Sequence, residues 1–133
     1  MLDAENRKFS HHIKVTEADI DELGHVNNVV YLRWVQEVAT AHWNYAATES
    51  LKATYTWVVI RHEIDYLSPA LPGDEIIGYT WVGEHQGAKF DRYVRLCRAG
   101  SEKILAEAKT TWCLLDAKSM RPRRIEEDVL SIL

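Results

Sequence analysis

The 133-residue sequence has few of the features that mark a secreted or membrane-spanning chain. It has only two cysteines, Cys97 and Cys113, with no CxxC spacing. We interpret them as reduced thiols packed in a sheet, which is consistent with a cytoplasmic protein. No apolar run approaches the roughly 18 residues needed to span a bilayer, and the first ten residues are too polar for a signal peptide. The sequence therefore predicts a cytoplasmic location and no membrane partner.

Positive charge is also scarce. The chain has 16 lysines and arginines against 20 aspartates and glutamates, which gives a net charge of −4. Nucleic-acid-binding domains concentrate lysine and arginine to neutralise phosphates, so we predict no nucleic-acid partner. The chain has no internal repeat and no linker, and its length suits one hydrophobic core. We therefore predict a single domain over residues 1–133.

The most informative stretch is residues 17–34, EADIDELGHVNNVVYLRW. Asp19 and Asp21 flank one residue, so in an extended segment their side chains point the same way. Asn27 or Asn28 is a good N-cap for a helix that follows. The free N–H groups and partial positive charge of a helix N-terminus suit a carbonyl oxygen that becomes negative during acyl transfer.

Two other interpretations of this stretch stay open. A DxD pair followed by glycine and asparagine also describes an ordinary loop with Asx-turns and a cap. A metal site is less favoured, because the spacing lacks the ligands of an EF-hand loop and no second cluster completes a site. We therefore predict no metal ion.

Hydrophobic periodicity predicts one long helix and five strands. Residues 9–16 alternate like a half-buried strand, and residues 28–47 carry a broad apolar stripe of helical period. The stripe consists of Tyr31, Trp34, Val35, Val38, Ala41, His42 and Tyr45. A polar connection over residues 48–54 precedes four further strands, which we predict at residues 57–67, 75–84, 89–98 and 103–115.

These elements predict an α+β fold with two layers, in which the long helix lies on a strongly twisted antiparallel sheet of about five strands. We predict that the last four strands form a meander. The helix covers one face of the sheet only, and the other face is too apolar for bare water. That face carries Trp57, Val59, Ile77, Tyr79, Trp81 and Tyr93. We therefore predict a homodimer or homotetramer, formed by edge pairing or face packing.

Two runs, DIDELGHVNNVVYLRW and HEIDYLSPALPGDEI, resemble the 4-hydroxybenzoyl-CoA thioesterase-like branch of the hotdog-fold superfamily. The resemblance extends from Phe9 to about Val129, and the RPRRI segment supports it because the motifs occur in the expected order. It implies a sheet wrapped around a central helix, and an acyl-CoA thioesterase without metal or redox cofactor, CoA being part of the substrate. It also implies dimers or tetramers with active sites at the subunit interface.

The resemblance assigns roles to residues one by one. The second carboxylate of the DxD pair is catalytic in the family, and that position is Asp21, which would act as base or nucleophile. The family's histidine before the helix matches His25, and the N–H that polarises the thioester carbonyl falls near Asn28. His25, Asn27, Asn28 and Tyr31 also match the HVNN motif and following tyrosine of plant acyl-carrier-protein thioesterases, in which the Asp21 position is asparagine.

The substrate contacts are predicted from the same resemblance. Tyr31 and Trp34 would line the acyl pocket. Benzoyl-type enzymes carry a basic cluster that binds the CoA phosphates, whereas here the corresponding segment is GEHQGAKF, with Lys89 its only full positive charge. We predict phosphate contacts from Lys89 and from Arg123, which can come from a neighbouring subunit. The alternatives are an acyl-carrier-protein thioesterase, a hydratase or dehydratase on an enoyl thioester, and a non-catalytic acyl-thioester-binding protein.

The remaining polar residues are predicted to be structural. We expect Asp19 to hold the loop or to cap N–H groups. We expect His42 and His62 to be hydrogen-bonded core histidines, and Arg92 to lie on a solvated surface.

Overall fold

A computed structural model describes residues 9–101 and 103–133. The strands are β1 Phe9–Lys14, β2 Tyr55–Tyr66, β3 Glu75–Gln86, β4 Lys89–Arg98 and β5 Ile104–Asp116. The helices are α1 Asn28–Ala46, α2 Glu49–Thr54 and α3 Glu127–Leu130, with a 3-10 turn at Glu17–Asp19. The predicted long helix and five strands are confirmed. The polar connection predicted at residues 48–54 is wrong, because the Thr48 side chain accepts a hydrogen bond from the Leu51 N–H and starts α2 there.

Residues 1–8, most of the polar N-terminus, lie outside the described residues. The assignment of residues 1–133 to one domain therefore stays a prediction. None of the helices within residues 9–101 and 103–133 is long and apolar enough to cross a membrane.

The five strands form one open antiparallel sheet in the order β1-β3-β4-β5-β2. The predicted four-strand meander is therefore wrong. Strand β3 pairs with β1 on one side and β4 on the other, so it has no free edge for β2. Strand β2 pairs with β5 at the far edge of the sheet instead, and residues 67–74 cross from that edge back to β3.

Helix α1 lies on one face of the sheet and supplies much of the core. It packs closely against Gly78 of β3, where a Cβ atom would overlap the side chain of Val38. Tyr45, predicted in the apolar stripe, is largely exposed because it sits in the last turn of the helix beside Phe9 of the edge strand. The buried side chains of α1 are Val30, Tyr31, Trp34, Val35, Val38, Ala39 and His42. One long helix on a curled five-stranded sheet is the hotdog fold that the resemblance implied.

Strand β2 contains a bulge at Ile60 that exchanges its two faces. Before the bulge, the Trp57 ring meets that of Trp43 of α1 at a centroid distance of 5.7 Å. The prediction that Trp57 lies on the face opposite the helix is therefore wrong. Val58, the neighbour of Trp57 and therefore expected on the face toward the helix, is exposed together with Ile60. A single inserted residue changes the face of every residue before it, and simple alternation does not reveal where it occurs.

Candidate active site

The polar loop between β1 and α1 is held in place by Asp19, whose side chain is only 3% exposed. Its carboxylate accepts hydrogen bonds from the Thr16 N–H at 2.9 Å, the Thr16 hydroxyl at 3.1 Å and the Arg33 guanidinium at 2.8 Å. Burial alone would raise the pKa of the Asp19 carboxyl, but these hydrogen bonds and the Arg33 charge outweigh it and hold the pKa below its ordinary value of 3.8. Asp19 is thus a structural residue, as predicted.

A tight chain reversal runs from Asp21 to His25. The Asp21 N–H donates to the His25 carbonyl at 2.9 Å, and Gly24 takes a left-handed φ of 81° that glycine adopts without strain. The Asp21 Oδ1 accepts a hydrogen bond from the Leu23 N–H at 2.9 Å. Within residues 9–101 and 103–133, the Asp21 Oδ2 has no hydrogen-bond partner and the exposed ring of His25 makes no hydrogen bond with this carboxylate. One carboxylate oxygen thus remains available to water or substrate.

Helix α1 begins directly after this reversal. Asn27 is its N-cap, because the Asn27 Oδ1 accepts a hydrogen bond from the Val29 N–H at 2.9 Å. The Asn27 N–H donates to the Asp19 carbonyl at 3.0 Å, which joins the helix start to the loop. The Asn28 N–H has no acceptor in the part of the chain that the structure describes. This amide lies at the positive end of a 19-residue helix and is an available donor.

Four of the predicted site residues, Asp21, His25, Asn28 and Tyr31, line one open groove of about 490 Å³. The structure therefore brings together the carboxylate, the histidine and the helix N-terminus. The opposite wall comes from the end of β2 and the loop after it. That wall consists of Tyr66, Leu67, Ser68 and Pro69. These four were not predicted as site residues, although they lie inside the second family-like run, whose pattern indicated only a strand and a turn.

Tyr31 ties the two walls of the groove together. Its hydroxyl accepts a hydrogen bond from the Ala70 N–H at 2.8 Å, and the Ala70 carbonyl accepts one from the Val26 N–H at 3.0 Å. Burial raises the pKa of the Tyr31 hydroxyl, which keeps it neutral. The Tyr31 ring also packs edge-on against Tyr66 at a centroid distance of 5.4 Å. These contacts fix the loop after β2 against α1.

The other predicted substrate-binding residues do not line this groove. Trp34 is only 1% exposed and packs in the core against Tyr31. Lys89 is exposed at the start of β4. Arg123 pairs with Asp116 at 2.9 Å and lies over the Tyr55 ring at 5.3 Å. The roles of these three residues stay predictions.

Lys89 and Arg123 nevertheless lie near each other. The Leu114 N–H donates to the Ala88 carbonyl, and the Leu114 carbonyl accepts from the Arg123 N–H, both at 2.8 Å. This is the Tyr55 end of β2, whereas the groove is at the Tyr66 end. Eleven strand steps of about 3.3 Å separate the two ends by roughly 35 Å.

Two of the residues predicted to be structural have unexpected surroundings. Arg92 is buried, so the prediction of a solvated position is wrong. Alternation along β4 places it on the face under α1, where it bonds to His42. The His62 Nε2 lies 3.3 Å from the Gln36 side-chain nitrogen, but its Nδ1 is buried without a partner among the described residues. The prediction of a hydrogen-bonded core histidine thus holds for His42 and only in part for His62.

Comparison with known families decides the class of this protein. Residues 15–133 match the model of the thioesterase-like superfamily. The chain belongs to the thioesterase-like superfamily. As a member of it, the chain is a thioester hydrolase, as the resemblance implied. No match was found among curated proteins.

Solved structures of other thioesterases share the fold of this superfamily member. A thioesterase from Thermus thermophilus, complexed with coenzyme A and zinc, is 24% identical, with 92% of this chain and 94% of that chain covered and a TM-score of 0.81. Slr0204, a 1,4-dihydroxy-2-naphthoyl-CoA thioesterase from Synechocystis, is 17% identical, with 94% of each chain covered and a TM-score of 0.80. YbaW, a probable thioesterase from Escherichia coli, is 22% identical, with 92% and 93% covered and a TM-score of 0.76. At these identities the likeness shows the hotdog fold alone.

Proposed function

We propose that this thioester hydrolase cleaves acyl-CoA, with Asp21 as general base or nucleophile and the Asn28 N–H as oxyanion donor. One observation carries the proposal. A carboxylate oxygen of Asp21 and the amide of Asn28, both without partners in the described part of the chain, belong to residues that line the same groove. The exposed His25 ring lies in that groove, and we infer that it orients a water molecule.

The chemistry needs little more than these groups. A thiolate leaves readily, so hydrolysis requires a placed nucleophile and a stabilised oxyanion. As a base, Asp21 takes a proton from water, the water oxygen attacks the carbonyl carbon, and the C–S bond breaks to release acid and thiolate. As a nucleophile, Asp21 displaces the thiolate and forms an anhydride that water then hydrolyses. In both routes the Asn28 N–H donates to the oxyanion, and one such donor is worth about 10²–10³ in rate.

The decisive test is Asp21→Asn. The asparagine oxygen can still accept the Leu23 N–H, so the loop should keep its shape, while the base or nucleophile is lost. We expect kcat to fall by about 10²-fold or more. Glu22→Gln makes the same carboxylate-to-amide change at an exposed neighbour that does not line the groove, and should leave kcat unchanged. Full turnover by a folded Asp21→Asn protein would remove both routes, and partial turnover would point to His25 as the base.

Coenzyme A is proposed as the carrier because of the solved relatives. The Thermus thermophilus thioesterase holds coenzyme A, and so does the SAV2348 protein of Staphylococcus aureus, which is 15% identical to this chain with a TM-score of 0.80 and covers 94% and 80% of the two chains. The groove itself has no lysine or arginine among its lining residues in the described part of the chain. The lack of lysine and arginine in the groove favours an acyl-carrier-protein thioester as the second candidate, since a carrier protein can bind through its own surface and needs no phosphate contacts inside the groove.

A homodimer would bring the basic residues of one subunit near the groove of the other, although the two lie far apart within one chain. Strand β2 is an edge of the sheet, and we propose that it pairs antiparallel with β2 of a second subunit across a twofold axis. The Tyr55 end of the partner strand then lies beside the Tyr66 end of this one. Arg123 of the partner subunit, which stacks on Tyr55 in its own chain, would lie near this chain's groove, and so would the partner's Lys89.

The carrier is tested by removing these cations. Contacts to a phosphate act on ground and transition states alike, so their loss raises KM and spares kcat. We expect Lys89→Ala combined with Arg123→Ala to raise KM for an acyl-CoA several-fold, and to leave KM for the corresponding acyl-pantetheine unchanged. Arg121→Ala removes an exposed arginine from the same segment and serves as the control. An unchanged KM for acyl-CoA in the double variant would shift the assignment to a carrier-protein substrate.

A further inference from the structure

A second cavity lies between the C-terminal half of α1 and the sheet. Its volume is about 390 Å³, which is within the usual range for small-molecule sites. It starts at Ala39, eleven residues after Asn28, so at 1.5 Å per residue it lies about 16 Å along the helix from the proposed oxyanion donor. Charged residues of its lining are Lys52, Asp91 and Arg92, and Lys52 pairs with Glu49 at 3.4 Å. Its lining also includes five aromatic residues: Trp43, Tyr55, Trp57, Phe90 and Trp112.

Arg92 brings a buried positive charge to this cavity. The residue lines the cavity and is only 7% exposed. Its Nη1 donates to the His42 Nδ1 at 3.0 Å and to the Thr80 hydroxyl at 2.9 Å. Among the described residues, no carboxylate lies within 4 Å of the guanidinium, and its Nε and Nη2 donate no hydrogen bond. The charge therefore lacks a counter-ion in the described part of the chain, which is costly in a buried place.

The groups around Arg92 do not neutralise it. Burial lowers the pKa of Arg92 to about 10, so the guanidinium is still charged at neutral pH. Burial and the Arg92 charge lower the pKa of His42 to about 4, so its ring is neutral and its Nδ1 accepts the hydrogen bond. The adjacent carboxylate of Asp91 is engaged elsewhere, by the Thr111 hydroxyl at 3.0 Å and the Lys109 ammonium at 3.9 Å.

We propose that this cavity binds an apolar carboxylic acid, whose carboxylate pairs with Arg92 and whose ring or short chain lies against the aromatic walls. A guanidinium fork matches a carboxylate in geometry and charge. The aromatic walls suit the rest of such a molecule. The chemistry admits two sources: a free acid, which is the class of product that the proposed function releases, or a carboxylate on an acyl group that enters from a neighbouring subunit's groove.

The test is a titration of the whole protein with 2-naphthoate and octanoate, and with the uncharged 2-naphthamide. Three tryptophans line the cavity, so their fluorescence reports occupancy, and calorimetry gives the affinity. Arg92→Met keeps the length of the side chain and removes the charge. We expect it to weaken binding of the acids by about 10- to 100-fold, the range for a hydrogen bond to a charged group, and to leave the amide unaffected. Arg95→Met on the same strand faces the other side of the sheet, pairs with Glu107, and should change neither affinity.

Ala39→Leu keeps the proposal testable if Arg92→Met does not fold. It narrows the cavity without touching the guanidinium, and should weaken acid and amide alike. The proposal would be overturned by wild-type protein that binds no acid at millimolar concentration, or by acid affinities that neither variant changes. Binding of free acid needs no turnover, so an inactive protein would not affect this result.

Inhibition of acyl-CoA hydrolysis by 2-naphthoate distinguishes the two sources of the carboxylate. A non-competitive pattern indicates a site for a free acid, and a competitive pattern indicates a subsite for the acyl group.

Discussion

Asp19 and Asp21 are only two residues apart but occupy opposite environments. Asp19 is buried and accepts three hydrogen bonds, one of them from a guanidinium. Asp21 is half-buried and accepts one. A carboxylate that is fully hydrogen-bonded has no capacity for a substrate, whereas one with a free oxygen does. The two carboxylates therefore differ in role because different hydrogen-bond donors surround them, and not because their charges differ.

The structural role of Asp19 gives a pH-dependent prediction. Asp19→Asn replaces one acceptor oxygen with an NH₂ group that faces the same donors, and should lower the free energy of unfolding by about 1–3 kcal/mol at pH 7. The folded-state pKa of Asp19 is below its ordinary value of 3.8, so the ionised carboxylate stabilises the fold above about pH 4. That stability is lost as the pH falls through the folded-state pKa. The difference between wild type and variant should therefore shrink below pH 4.

Urea unfolding between pH 3 and pH 7 measures this difference. Glu22→Gln changes an exposed carboxylate in the same loop. At each pH its free energy of unfolding should nearly equal that of the wild type. If the loss of unfolding free energy in Asp19→Asn does not change with pH, the contribution of Asp19 to stability comes from its shape and not from its charge.

The sequence predicted this loop well but not the direction of its side chains. DxD in an extended segment predicts that Asp19 and Asp21 point the same way, and the structure shows that this is wrong. The reason is the 3-10 turn at Glu17–Asp19, which breaks the alternation before Asp21. That turn is stabilised by Thr16 and by Arg33 from the second turn of α1. The Arg33 contact spans 14 positions, so local pattern alone does not reveal it.

At the scale of elements, the position of α1 depends on a missing side chain in β3. A Cβ at Gly78 would overlap Val38 and press on Leu96 at 3.3 Å. Gly78→Ala should therefore lower the free energy of unfolding by about 1–3 kcal/mol through overpacking. Val38→Ala removes the methyl groups in conflict, so in that background the cost of Gly78→Ala should be much smaller.

A double-mutant cycle measures this coupling, which we expect to exceed about 0.5 kcal/mol. Val30→Ala is the matched control, since it truncates a buried valine about 12 Å earlier on the same helix. Its effect should add to that of Gly78→Ala. Additive effects for Val38 and Gly78 as well would mean that the cost of Gly78→Ala does not come from Val38.

The elements themselves were predicted closely, but their pairing was not. Periodicity is local, and it located α1 and all five strands to within a turn or a few residues. The order of the strands depends on which edges are free after β1 has paired with β3, and nothing local in the sequence encodes that choice. The bulge at Ile60 is a similar case, because it is fixed by pairing with β5. The strand order and the bulge also determine the shape of the groove, because its second wall begins where β2 ends.

At the scale of the whole molecule, the outer edge of β2 pairs with no other strand in the described part of the chain. Strand β2 is 12 residues long, and exposed apolar residues lie along it and directly after it. We call them the β2 edge patch: Val58, Ile60, Tyr66 and Leu67. Long apolar edges favour pairing with another chain. Leu23 and Val29 are exposed beside the groove as well, so a second subunit at this edge would also cover apolar surface around the proposed active site.

The last prediction concerns this edge. We expect wild-type protein to have at least twice the chain mass of 15.4 kDa in light scattering and sedimentation. Ile60→Lys places a charge in the β2 edge patch, where the side chain is 50% exposed, so the fold should survive while edge pairing becomes unfavourable. We expect this variant to be largely monomeric at micromolar concentration. Its KM for acyl-CoA should rise, because cations from the partner subunit no longer reach the groove.

Tyr45→Lys is the matched control, since it adds the same charge at an exposed aromatic residue in the last turn of α1, outside β2 and away from the segment that carries Arg123. It should leave both mass and KM unchanged. A wild-type protein that is an active monomer would contradict the proposed dimer, and would leave the distant Lys89 and Arg123 without a role at the groove. An Ile60→Lys variant that stays dimeric would instead move the interface to the face of the sheet opposite α1, where Trp81 and Tyr93 stack at a centroid distance of 5.8 Å.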